Sequence, residues 1–149
     1  MEINLLSDEY FMRIALAEAQ KAFDADEIPV GAIVVCKGQV IARAHNMTEK
    51  LNDVTAHAEM IAFTAASNFL NSKYLPECTM YVTLEPCIMC AGASFWAQIG
   101  SLVYGAADEK RGYLKISSAV IHPRTLVKGG VMAEECGQLL IDFFRKKRE

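Results

Sequence analysis

The sequence predicts an α/β fold, with helices and strands alternating in layers around a partly parallel sheet. Three observations carry that expectation. Short β-branched runs such as "GAIVV" and "CTMYVTL" stand between stretches with helical spacing of apolar residues. No linker, repeat or low-complexity tract interrupts the alternation. The 149 residues are 52% apolar and 22% charged, which suits a single domain over 1–149 with a core of its own.

The elements follow in chain order. "SDEYFMRIALAEAQKAF" reads as an amphipathic helix, with Phe11, Ile14, Ala15, Ala19, Ala22 and Phe23 on one face and Ser7 or Asp8 as cap. After the loop "DADEIP", "VGAIVVCKGQVIARAH" reads as a hairpin turning at Lys37–Gly38. The polar loop "NMTEKLNDVT" leads into a helix, "AHAEMIAFTAASNFL", with Thr55 as candidate cap. "CTMYVTL" is a strand that runs straight into Pro86. "PCIMCAGASFWAQIG" then reads as a helix with proline at its first position and Gly100 past its end. "SLVYGAA" is the next strand. The stretch 108–123 shows no clear period, "TLVKGGVM" reads as a last strand, and "AEECGQLLIDFFRKKRE" closes the chain as a helix.

Several classes are excluded. No apolar run approaches the ~20 residues of a membrane span. The start "MEINLLSDEY" has neither the basic nor the apolar region of an export signal, so a cytoplasmic location is expected. The five cysteines are an odd number, which argues against a disulfide framework and for thiols that pack, bind metal or react. The net charge is −3, but it is unevenly spread. Residues 1–100 carry 6 basic and 12 acidic side chains, and residues 101–149 carry 9 and 6. The final third is thus the one stretch with the charge of a phosphate-facing surface, although a small basic excess equally serves solubility. Arg145, Lys146, Lys147 and Arg148 divide the same way, between phosphate contacts and charges set against the helix dipole.

Four residues carry chemistry. Cys87 and Cys90 are three apart at a predicted helix start, so both thiols share one face of the first turn. The positive end of the helix favours thiolates, which suit a metal or a redox dithiol equally. His57 also falls at a predicted helix start, with Glu59 two residues on. If both starts open at one end of the sheet, three protein donors converge and leave a fourth position open, the arrangement of a catalytic zinc. Glu59 is then placed to move protons rather than to ligate. H-x-E followed by P-C-x-x-C is the known signature of zinc nucleobase deaminases. Cys36, Cys78 and Cys136 lie in apolar contexts and read as small hydrophobes, and His45 and His122 lack ligand spacing.

Beyond the motif, "DEIPVGAIVV", "TAHAEM", "YVTLEPCIMCAGA", "IGSLVYGAAD" and "DFFRKKRE" resemble the bacterial tRNA-specific adenosine deaminases over nearly the whole chain. The resemblance implies a cytidine deaminase-like, three-layer α/β/α sandwich with a central five-stranded mixed sheet. It also implies a homodimer with one Zn²⁺ per subunit, acting on adenosine at the wobble position of a tRNA anticodon stem-loop. His57, Cys87 and Cys90 match the family's zinc ligands, and Glu59 matches its proton shuttle. Asn46 matches a residue that hydrogen-bonds the target base, and Val30 a wall of the base pocket. Asp108 and Lys110 match positions near the flipped nucleotide's sugar and backbone. The chain departs from the pattern at Ala107, and in reading "KRGYLKISSAVIHP" where a Gly- and Ala-rich loop is common. A deaminase of a free base or nucleoside, of guanine or cytosine type, is the alternative on the same fold. A zinc-stabilised binding module has no use for Glu59, and a thiol oxidoreductase has none for "HAE".

Overall fold

A computed structural model describes residues 7–149. The reading of the N-terminus as free of an export signal rests largely on residues 1–6, which lie outside the described residues. No helix among the described residues is long and apolar enough to cross a membrane. The elements run α1 (Asp8–Asp24), β1 (Gly31–Cys36), β2 (Gln39–His45), α2 (Ala58–Leu70), β3 (Cys78–Leu84), α3 (Ile88–Ala97), β4 (Ser101–Ala106), β5 (Leu126–Lys128) and α4 (Ala133–Arg148). The five strands form one sheet in the order β2-β1-β3-β4-β5. β1 is antiparallel to β2 and β3, whereas β4 is parallel to β3 and β5. The sheet is therefore mixed, as expected.

Alternation along each strand makes two cores. Ala32, Val34, Met80, Val82 and Leu102 point to one face and pack with Ala58, Ala62 and Ala66 of α2 and Ala91 of α3. Ile33, Val35, Tyr81 and Val103 point to the other and pack with Phe11, Met12 and Ala15 of α1 and Cys136 of α4. The period of two thus sorts one sheet into two buried faces, and the result is an α/β/α sandwich. The closest approach is at Gly31. A Cβ there would strike the carbonyl oxygen of Ala15 and the amide nitrogen of Ala19, so only glycine lets α1 lie directly on β1.

The register decides where the site lies. Gly31 opposes His45, Ala32 opposes Val82, and Leu84 opposes Ala106. The start of β1 and the ends of β2, β3 and β4 therefore meet at one end of the sheet. The segments leading into α2 and α3 leave from that end, so both helix N-termini open there.

Three local expectations are corrected. Thr55 does not cap α2: its amide and hydroxyl both donate to Asp53 Oδ1, at 2.8 and 2.7 Å, and His57 takes the cap position. Pro86 does not begin α3 but precedes its cap, Cys87; the helix ends at a left-handed Gln98, with Gly100 past its end as expected. The last strand spans Leu126–Lys128 instead of 125–132. Gly129 is pressed against the ring of Tyr104, and Gly130, at φ 86, turns the chain over the end of β4. The segment 108–123 contains two short 3₁₀ turns, Tyr113–Lys115 and Ser118–Val120.

Candidate metal and catalytic centre

The N-cap position of a helix normally spends its side chain on the orphan N–H groups of the first turn. His57 and Cys87 occupy the N-cap positions of α2 and α3 in extended conformation, and neither side chain makes a capping bond. At α2 that duty is delegated. Asn46 Oδ1, from the loop after β2, accepts the Ala58 amide at 2.8 Å. The imidazole of His57 is thereby left for other work.

The three donors converge. Cys87 Sγ and Cys90 Sγ lie 3.7 and 3.5 Å from His57 Nδ1. The three ligand atoms lie within 4.8 Å of one another. Cys90 is buried, while His57 and Cys87 are partly exposed. Two sulfurs and an imidazole nitrogen with an accessible side form the donor set of a zinc site with an open position.

The electrostatics suit a cation. The Cys87 thiol is pulled down to about 4, first by a hydrogen bond from Cys90 and then by His57. Cys90 is pushed up as the donor in that bond and by burial. His57 is raised by its hydrogen bond to Cys87. Without metal, the site therefore shares protons around one thiolate, and a dication that fills it displaces them.

Glu59 occupies the first turn of α2 and is 4% exposed. Burial pushes its carboxyl up to about 7, with the neighbouring Cys87 sulfur adding to the rise. A carboxyl poised near neutrality can accept a proton and return it. A dication in the triad would draw that value down, in the same sense as His57 does.

The other sequence-predicted residues divide into two groups. Val30 is buried at the head of β1, and its carbonyl accepts the Asn46 amide at 3.1 Å. Val30, Asn46 and the start of α2 are thus one hydrogen-bonded unit beside His57. Asp108 and Lys110 belong to the other side. Asp108 Oδ1 accepts the amides of Lys110 and Arg111 at 3.1 and 3.0 Å, so that oxygen shapes the turn. Lys110 is exposed. The turn is brought to the centre by a bridge between Cys87 and Gly112 and by the Tyr113 amide, which donates to Pro86 O at 2.9 Å.

Two residues escaped the sequence reading. Glu27 is 2% exposed; its carboxylate accepts the amides of Glu49 and Lys50 at 3.0 and 2.8 Å. Glu85 is 4% exposed; its carboxylate accepts the amides of Asp108 and Leu114, both at 3.1 Å. The available signal was an acidic residue just ahead of a proline at the border of an apolar strand: Glu85 directly before Pro86 in "LEPC", and Glu27 two residues before Pro29 in "EIPV". A carboxylate placed there must find donors, because burying it unpaired is costly.

A family profile of MafB19-like deaminases matches residues 6–148. The chain is 45% identical over 147 residues to the tRNA-specific adenosine deaminase of Aquifex aeolicus, covering 96% of this chain and 97% of that one. It superposes with a TM-score of 0.82, at 42% identity, on a structure from a study of A-to-I editing by tRNA:A34 deaminases at the wobble position of transfer RNA. That match covers 88% of this chain and 99% of the other. It also superposes on guanine deaminase from Bacillus subtilis with a TM-score of 0.65 at 37% identity, over 68% of this chain and 65% of that one. The three-layer sandwich with its mixed sheet is the cytidine deaminase-like fold these enzymes share. With its H-x-E and P-C-x-x-C segments gathered at one end of that sheet, the chain belongs to the MafB19-like deaminases and within them to the family of the tRNA-specific adenosine deaminases.

Proposed function

We propose that this enzyme converts adenosine to inosine at the wobble position of a tRNA anticodon, using one zinc ion per subunit held by His57, Cys87 and Cys90. The observation that carries the reading is Glu59, a buried carboxyl beside three converging donors, on a chain matched along nearly its whole length by tRNA-specific adenosine deaminases. Zinc bound there supplies a Lewis acid that makes water nucleophilic near neutral pH. Glu59 takes the proton that water releases and delivers it to N1 of the adenine as C6 is attacked. It then takes the proton of the new C6 hydroxyl and passes it to the amino group, so that the C6–N bond breaks, the C6 carbonyl forms and ammonia leaves. Asn46, its Oδ1 engaged by Ala58, offers its amide nitrogen to the base, and Val30 walls the pocket. Asp108 and Lys110 face the sugar and phosphate of the flipped nucleotide. An anticodon loop presents its base already unpaired, which lowers the cost of extraction.

The rest of the reading is a homodimer acting in the cytoplasm, with 1–149 as one catalytic domain. Arg145–Arg148 add charge at the end of α4, where Lys147 Nζ also reaches Asp26 at 2.6 Å. The test is incubation with tRNA from a strain lacking its own wobble deaminase, followed by mapping of inosine. Free adenine, guanine, cytosine and their nucleosides run in parallel. Inosine at the wobble position alone supports the reading. Turnover of free guanine with no inosine in RNA would replace it with the free-base alternative, for which the likeness to a guanine deaminase speaks.

A further inference from the structure

The segment 108–114 is held by the strand-to-helix turn that carries Cys87, and one side chain does most of the holding. Glu85 Oε1 accepts the Asp108 amide and Oε2 accepts the Leu114 amide, each at 3.1 Å. Its own amide donates to Ala106 O at 2.8 Å, so the residue is fixed from both ends. Gly112 closes over the carboxylate: a Cβ there would strike Glu85 Oε2 and lie 2.6 Å from Asp108 O. With both oxygens engaged, Glu85 cannot swing aside. The Cys87–Gly112 bridge and the bond from Tyr113 to Pro86 seal the same contact.

We propose that Glu85 is a positioning residue: it sets how far the Asp108–Lys110 turn reaches over the substrate, measured from the metal-ligand turn itself. The proposal rests on the function given above, since it assigns that turn to the RNA. Glu85 does not touch the reacting atoms. A carboxylate is needed because only two acceptor oxygens can hold two amides pointing in from opposite ends of the segment. The chain thereby ties the distance between zinc ligand and substrate loop to one buried group, two residues from Cys87.

The test is Glu85→Gln in the zinc-loaded, full-length enzyme. Glutamine keeps the shape but has one acceptor oxygen, so one of the two amides is orphaned. Zinc should stay at one per chain. Amide hydrogen exchange should speed up across 108–114 and stay unchanged around His57 and Glu59. With an anticodon stem-loop RNA, KM should rise about tenfold while kcat stays within about threefold, the pattern of lost substrate placement rather than lost chemistry. Unchanged exchange across 108–114 overturns the proposal, as does loss of zinc, or a fall in kcat with KM intact. If Glu85→Gln does not fold, Gly112→Ala presses on the same carboxylate from outside and should give the same exchange and KM changes. A wild-type enzyme that deaminates no RNA refutes the proposed function instead, and the exchange measurement still reads the clamp.

Discussion

The His57 half of the site and the Cys87 half are built alike but finished differently. Each has a helix whose cap residue gives its side chain to the centre, and each has a buried glutamate accepting two backbone amides from a neighbouring loop. In the His57 half the loop 46–57 is tied throughout. Glu27 holds Glu49 and Lys50, Met47 N donates to Ala56 O at 3.0 Å, and Asn46 caps α2. In the Cys87 half the carboxylate's hold ends at Leu114; the chain beyond runs through short 3₁₀ turns, with Ile116 64% exposed, and is tied down again only where Ile121 enters the core and the Thr125 hydroxyl donates to Ile99 O at 2.6 Å. The side that carries Glu59 has its loop hydrogen-bonded along nearly its whole length, whereas the side that carries Cys87 has a span of loop, 115–119, with exposed side chains and no buried carboxylate beneath it.

That contrast can be broken or sharpened experimentally. Glu59→Gln should have the largest effect, cutting kcat by ~10²–10⁴-fold or more with zinc content kept at one per chain. Loss of the zinc would make Glu59 a ligand and remove the distinction between a binding triad and a working residue. Cys87→Ser should come next, abolishing stoichiometric zinc and lowering Tm by about 4 °C or more, since metal binding and folding are linked.

Zinc uptake in the unmodified enzyme tests the proton sharing. Cys87 is ionised and Cys90 protonated near neutrality, so binding must release protons and apparent affinity should climb as pH rises from 6 to 8. A flat profile by competition with a chelator would mean both thiols are already ionised.

Glu27→Gln should then separate the halves. It orphans an amide in the loop it holds and should cost about 1–3 kcal/mol by denaturant unfolding. In contrast to Glu85→Gln, it should lower kcat, because it loosens the loop leading to His57 and Glu59. Equal kinetic patterns for the two variants would erase the difference between the halves.

The smallest effect is remote from both. Burial alone would raise the Asp8 carboxyl, but bonds from Lys128 and Tyr81, at 2.9 and 2.8 Å, outweigh it and hold the group below its ordinary 3.8. A depressed carboxyl stabilises the fold above its unfolded pKa and loses that contribution as pH falls through the folded value. Asp8→Asn should therefore cost under about 1 kcal/mol at pH 7, the group being partly exposed, and progressively less as pH falls below 3.8.

What was legible in the sequence was whatever is written in adjacent residues. The amphipathic face of α1, the hairpin β1–β2 and the H-x-E and C-x-x-C pairs depend on spacings of two to four. The mixed order of the sheet was available through the resemblance, not through periodicity. What was not legible depends on distance along the chain. Glu27 meets its amides 22 and 23 residues on, and Glu85 meets its own at 23 and 29. Thr55 has the composition of a cap, but Asp53 engages it first, and Asn46 caps the helix from 12 residues away. Pro86 misled because proline suits both the first helical position and the extended residue before a cap. β5 was read too long because valine and leucine mark a strand, while the Gly129–Gly130 pair that ends it works through contact with Tyr104.

The fit of Gly112 over Glu85 has a consequence for changing what this enzyme accepts. In a library spanning 108–123, position 112 should fail as broadly as a core position, although Arg111 just before it is exposed. Diversity placed there would be wasted on clones that cannot close the segment. Variation belongs further on, at 115–119, where side chains are open to solvent and no buried carboxylate fixes the backbone. Retargeting this deaminase is thus a matter of redrawing the outer span of the loop while leaving its inner hem untouched.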